Sequence, residues 1–457
     1  MSASAPPRRR ALPRGDLIAG SVALGLFAAA ALTGAVLFLL GHPVRATTAP
    51  LHAHWLPHLG PGTPLALAVA GLLCWHGPAL AARLPWRWLL AASYATAVAW
   101  TLSLALVDGW HRGVAGRLTT PYEYLDEVPG VTDIPAMLSG FTTRILDFQP
   151  DSWTTHVAGH PPGALLVFVW LDRIGLGGGT WAGLLCVLAG AVTAVAVPHA
   201  VRSLGTEDAA RAVVPFIVLF PGAVWIGVSA DGLFAGVTSA GVALLAAAVT
   251  RTAAIPAVAG GALLGFGCYL SYGLVLMGPV AAAVVLLGTP GRRRAAWWAV
   301  AGAAAVAAAF TVAGFDWLTG YHLLIQRYYQ GIASDRPYGY WIWANLGLLA
   351  VSAGPAAAVI LRRAGQAATA QRHNLVRPWR AFTAGHSTWL LPLSAAAAIL
   401  AADLSGYSKA EVERIWLPFG IWLMAGAALI PPQHRRHWLT AQAVIALLIN
   451  HLVLTTW

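Results

Sequence analysis

Apolar runs of roughly 17–25 residues recur from one end of this chain to the other, each long enough for one helix to cross a bilayer. Inside hydrocarbon every backbone N–H and C=O must bond within its own segment, so such runs fold as helices. The composition agrees: mean hydropathy is +0.67, with 58% hydrophobic and only 10% charged residues among 457. This predicts an all-α, polytopic transmembrane bundle forming a single membrane domain over 1–457, with no stretch left for a sizeable soluble domain. Reading the runs against Arg, Pro and Gly gives spans near 17–40, 62–82, 86–107, 178–201, 210–228, 231–250, 254–271 and 273–288. Five more follow near 295–314, 339–361, 385–403, 413–431 and 437–456, about 13 in all.

The net charge of +11 does not point to nucleic acid, because the basic residues sit in short clusters between spans. They follow the positive-inside rule instead. Placing a basic tail, 1–16, in the cytoplasm puts 19 of the 28 basic residues inside, including Arg292 to Arg294 and the tract Arg362 to Arg380. Of the 17 acids only Asp16, Glu207 and Asp208 then fall inside. The run after Arg8 to Arg10 is too long for the apolar core of a cleaved signal peptide and reads as a signal anchor. Cys74, Cys186 and Cys268 lie in or beside apolar spans, which suits small hydrophobes and neither a disulfide framework nor a metal site.

The outside segment 108–177 concentrates the polar chemistry. It carries Asp108, Glu123, Asp126, Glu127, Asp133, Asp147 and Asp151, more acids than a connecting loop needs. Ile134, Met137, Leu138, Phe141, Ile145 and Phe148 recur at helical spacing, predicting an amphipathic helix along the membrane surface. Tyr124-Leu125-Asp126-Glu127 precedes that helix, and His156 and Gly159-His160-Pro161-Pro162-Gly163 close the loop, the prolines fixing the direction of re-entry. An imidazole held there suits a lipid phosphate at headgroup depth; a solvated loop with a proline stop is the plainer reading. The apolar stretch 163–174 is too short to cross and is laid in the interface or made re-entrant.

Three more outside turns add candidates. Asp231, in Ser-Ala-Asp-Gly, is either functional or a helix cap. The 315–338 loop offers Arg327 and Tyr328 among aromatics that serve as interfacial belt or as sugar platform. The 403–414 loop holds Lys409, the one lysine of the chain, with Glu411, Glu413 and Arg414, a charge group that is costly at a membrane rim unless paired or facing a wet cavity.

Asp-Glu in a long outside loop, a surface helix and then Gly-His-Pro-Pro-Gly resembles the membrane-embedded GT-C glycosyltransferases, in particular the protein O-mannosyltransferase and aminoarabinose transferase branch. The likeness covers about residues 120–250 and includes the turn and proline-bearing helix leading to Asp231. The resemblance implies an inverting transfer from a polyprenyl-phosphate sugar on the outer face of the membrane; the alanine-rich, arginine-over-lysine composition suggests a GC-rich bacterial genome, hence a bacterial cytoplasmic membrane and a cell-envelope glycan, lipid or protein as acceptor. The resemblance also implies Asp126 as general base with Glu127 beside it, His160 on the lipid phosphate, and Asp231 as the second outside acid. Tyr124, His156, Arg327, Tyr328, Lys409, Glu411, Glu413 and Arg414 are the further substrate-binding candidates, the cations for the departing phosphate. This sequence departs from the family in having two extra spans before the loop and His where Lys is usual before Pro-Pro. No His or Cys cluster has zinc spacing, and a single Asp-Glu pair admits a divalent cation without requiring one.

Two other classes fit a many-helix chain. A transporter or flippase would carry internal repeats and midplane charges, which this sequence lacks. An inactive relative in an envelope-assembly complex would share every feature above.

Overall fold

The computed structural model describes residues 11–371 and 384–456; Arg8 to Arg10 and Arg372, Arg377 and Arg380 of the basic clusters lie outside them. It is 78% helical, with one small antiparallel pair of strands, Ala53–Trp55 and Val453–Thr455. Among the described residues, seven helices are long and apolar enough to cross a membrane: Arg14–Leu39, Thr63–Arg83, Trp86–Asp108, Gly179–Leu204, Ala230–Arg251, Arg292–Val312 and Ser387–Leu404. Ala254–Leu270, Tyr272–Leu287 and Leu417–Leu429 are shorter apolar helices. The fold is that of an all-α, multi-pass membrane protein.

Small residues set the helix spacing. A Cβ on Gly261 would lie 1.8 Å from the Ala299 carbonyl oxygen, and one on Gly236 1.9 Å from that of Ala189, so these helix pairs touch backbone to backbone. Without a hydrophobic drive between helices in lipid, such close contact is what holds them. Hydroxyls in the interior bond to carbonyls, as Ser93 does to Ala194 at 2.8 Å.

Polar contacts gather in two layers at opposite ends of the bundle. In one, Asp16 is fully buried between Arg362 at 2.8 Å and Arg363 at 2.6 Å, Arg363 also donates to the Leu429 carbonyl, and Arg211 donates to those of Ala81 and Leu84. In the other, Arg45 pairs with Asp335, His58 with Asp108, Arg327 with Asp147, and Arg117 donates to Thr455. The first helix links the layers, with Asp16 in its first turn and Arg45 beyond its far end.

Two expectations change. The surface helix is only Ile134–Gly140, capped by the Asp133 carboxylate and continued by a tight turn over Phe141–Arg144. Its apolar side chains Met137, Leu138, Phe141 and Ile145 are buried against protein, Phe141 stacking on Trp153 and meeting Phe315 edge-on, while Phe148 turns out with φ 66°. The periodicity therefore marks a segment docked on protein. The span expected over 339–361 ends early: Tyr338–Ser352 and Pro355–Ala370 meet at 106°, where Gly354 takes φ 81° ahead of a proline. The stretch Pro162–Arg173 forms a helix that begins beside His160 and ends with Arg173 donating to the carbonyls of Val131 and Thr132. Both of its ends therefore lie beside residues of the second polar layer.

Candidate functional site

The second polar layer contains a buried chain of charges drawn from four loops. Glu123 precedes the single turn Tyr124–Asp126, and its Oε1 is 2.8 Å from Nδ1 of His156. His156 Nε2 is 3.3 Å from Arg414 Nη2. A guanidinium can only donate, so Nε2 accepts and the imidazole proton lies on Nδ1, donated to Glu123. Arg414 also donates from Nη1 to Asp231 at 2.9 Å and from Nη2 to Glu411 at 2.8 Å. Glu411 Oε1 accepts from Arg336 at 2.8 Å, and Arg336 donates to the Lys409 carbonyl.

Local structure aims each of these groups. Asp231 lies in the first turn of Ala230–Arg251, where a carboxylate meets the positive helix end, and it faces Arg414; no side chain caps that helix. Ala410 and Glu411 hold φ of 70° and 61°, a left-handed pair rare outside glycine. That turn points the Glu411 carboxylate back between two arginines. Burial would raise the Glu411 carboxyl, but Arg414 and Arg336 outweigh it and hold it down at about 2.

Three carboxylates against two guanidiniums make this cluster a built-in ion network and not a vacant cation pocket. Arg327 and Arg414, candidates for the departing phosphate, are already paired inside the protein, the first with Asp147 and the second with Asp231 and Glu411. Glu413 is 1% exposed, and its Oε2 has no hydrogen-bond partner among the described residues.

His160 sits four residues beyond His156 on the same helical side, its Nδ1 2.8 Å from the His156 carbonyl and 2.9 Å from the Tyr124 hydroxyl. Burial pushes its pKa down to about 4, so near neutrality it is an uncharged ring and offers a lipid phosphate a hydrogen bond at most. Burial likewise drives the Tyr124 phenol well above its usual range.

Asp126 and Glu127 part company. Glu127 accepts from the Thr154 backbone N–H at 2.8 Å and from Arg144 at 3.4 Å, closing the loop on itself. Asp126 is exposed and, among the described residues, enters no hydrogen bond or ion pair. It lines a cleft of about 260 Å³ together with Thr119, Phe168, Leu171, Asp172 and Ala182. Tyr124, at the start of the same turn, packs on Phe168 with ring centroids 5.2 Å apart, so the cleft and the buried network share a wall.

Lys409 and Tyr328 stand together: the Lys409 backbone N–H donates to the Tyr328 hydroxyl at 3.0 Å, and the ammonium lies 5.3 Å from the Tyr329 ring and 5.9 Å from that of Tyr328. Glu123 and Arg336 are members of the network to which the sequence, naming them only among other polar residues of their loops, gave no role. The only hint was the spacing of Glu123 ahead of Asp126 in a stretch dense with acids. Among the described residues no group of three or more His, Cys, Asp or Glu side chains is arranged to hold a metal ion.

Fold and site together define a class, a multi-pass helical membrane protein with an acid-rich polar centre at one end of its bundle. No protein-family model matches the chain, and no curated protein matches it in sequence.

Proposed function

We propose that this chain is a glycosyltransferase that takes a sugar from a polyprenyl-phosphate donor at the outer face of the membrane, with Asp126 as general base. In this reading the chain crosses thirteen times from a cytoplasmic N-terminus, and the layer containing Asp126 faces outward. The observation that carries it is Asp126 itself: an uncommitted carboxylate on a cleft with one apolar wall, beside a loop whose other acids are engaged. The acceptor hydroxyl gives its proton to Asp126, its oxygen bonds to the anomeric carbon, and the bond from that carbon to the phosphate oxygen breaks, the electron pair leaving with the phosphate. Attack from the face opposite the phosphate inverts the anomeric centre. The acceptor is a cell-envelope glycan, lipid or protein.

Placement of charge favours chemistry over transport. Among the described residues, the buried ionisable side chains fall in the two end layers: Asp16, His386 and His434 in one, and Glu123, His156, Asp231, Arg336, Asp403, Lys409, Glu413 and Arg414 in the other. A transport path would need such groups near the midplane. The test is transfer of labelled sugar from polyprenyl phosphate by purified protein and by Asp126→Asn, which keeps size and removes basicity. A roughly 10²–10⁴-fold loss in a folded variant is expected for a missing general base. Transfer at the wild-type rate moves the role away from Asp126, and no transfer by the wild type with any such donor removes the reading.

A further inference from the structure

Four cations were candidates for the carrier phosphate, and the structure separates them. His160 is neutral, Arg327 is paired with Asp147, and Arg414 with Asp231 and Glu411. Lys409 is 7% exposed, yet among the described residues no carboxylate pairs with its ammonium. What surrounds it is aromatic: Tyr328 and Tyr329 lie within cation–π range, and Tyr407 meets both rings edge-on at 6.2 and 6.4 Å. Cation–π attraction recovers only part of the hydration that a buried ammonium loses. Tyr328 accepts a hydrogen bond from the Lys409 backbone, which leaves its own proton free to donate.

We propose that Lys409, Tyr328, Tyr329 and Tyr407 form a subsite for a lipid-borne phosphate, separate from the arginine network and from the Asp126 cleft. Tyr329 and Tyr407 are 47% and 41% exposed, so the ammonium lies one ring below the surface and a tyrosine rotamer change uncovers it. The apolar neighbours identify the ligand as lipid-borne. Leu404 and Tyr338, 66% and 42% exposed, adjoin Tyr407 where the helix Ser387–Leu404 ends, with the Tyr338 hydroxyl donating to the Leu404 carbonyl. An apolar chain running down that helix places its phosphate at the tyrosines.

Binding of a polyprenyl monophosphate, the matching polyprenol and inorganic phosphate to the purified full chain tests this without relying on turnover. The monophosphate should bind the wild type more tightly than the polyprenol does. Lys409→Met should lose roughly tenfold to hundredfold in affinity for it, the scale of one charged hydrogen bond, and Lys409→Arg should retain most of it. Equal affinity in wild type and Lys409→Met overturns the proposal, as does Lys409→Arg binding no better than Lys409→Met. Lys409-dependent binding of inorganic phosphate with no gain from the polyprenyl chain overturns the assignment to a lipid. Lys409-dependent carrier binding without sugar transfer keeps the subsite and removes the transferase.

Discussion

Arg414 neutralises two carboxylates and steadies His156 with one guanidinium, so its removal leaves Asp231 and Glu411 buried with unbalanced charge. Breaking a buried pair in this way costs roughly 3–5 kcal/mol. Arg414→Gln should therefore lower the yield and thermal stability of detergent-solubilised protein, whereas Lys409→Met should barely alter either; equal melting temperatures for Arg414→Gln and wild type would contradict the network. His160 adds a pH signature. Its folded pKa, about 4, lies below the ordinary 6.5, so above 6.5 both folded and unfolded forms are neutral and folding is unpenalised. As pH falls from 6.5 toward 4 only the unfolded chain takes the proton, and stability drops by up to about 3 kcal/mol. Melting temperature against pH should show that loss in the wild type and a shallower one in His160→Gln; identical profiles would place His160 in a wetter setting.

Among the elements, helices were legible from the sequence where an apolar run was long and uninterrupted, as in Arg14–Leu39 and Ala230–Arg251. They were less so where Gly or Pro cut a run into pieces whose directions depend on neighbours, as at Gly354-Pro355. The 134–148 periodicity was real, but one apolar face suits lipid and protein equally, and Trp153 and Phe315 decided between them. The candidate site divides in the same way. Asp126, His160, Asp231 and Arg414 announced themselves through local motifs or placement at a rim. Glu123 and Arg336 did not, because their partners lie in loops distant along the chain. Close helix contact gives its own test. Gly261→Val puts carbon against the Ala299 carbonyl, which is backbone and cannot yield, and should cost roughly 1–3 kcal/mol. Gly25→Ala, which meets nothing within 4 Å, should be neutral or slightly stabilising in a thermal unfolding assay.

For the whole molecule, the account joins two polar layers, one arginine-rich with few acids and one acid-rich, to the two sides of a membrane. In a background lacking the three cysteines, Thr132→Cys and Ser405→Cys should react with an impermeant thiol reagent in intact cells, and Ala370→Cys should not. The reverse pattern would turn the bundle over and place Asp126 in the cytoplasm. The central claim concerns what enters the Asp126 cleft. Its most direct test is a structure of the purified Asp126→Asn protein with a polyprenyl-phosphate sugar. The account predicts sugar density in the cleft between Asn at position 126 and Phe168, with the phosphate in the same outer layer. Carrier density confined to the opposite layer, or running through the bundle between the two, would contradict it.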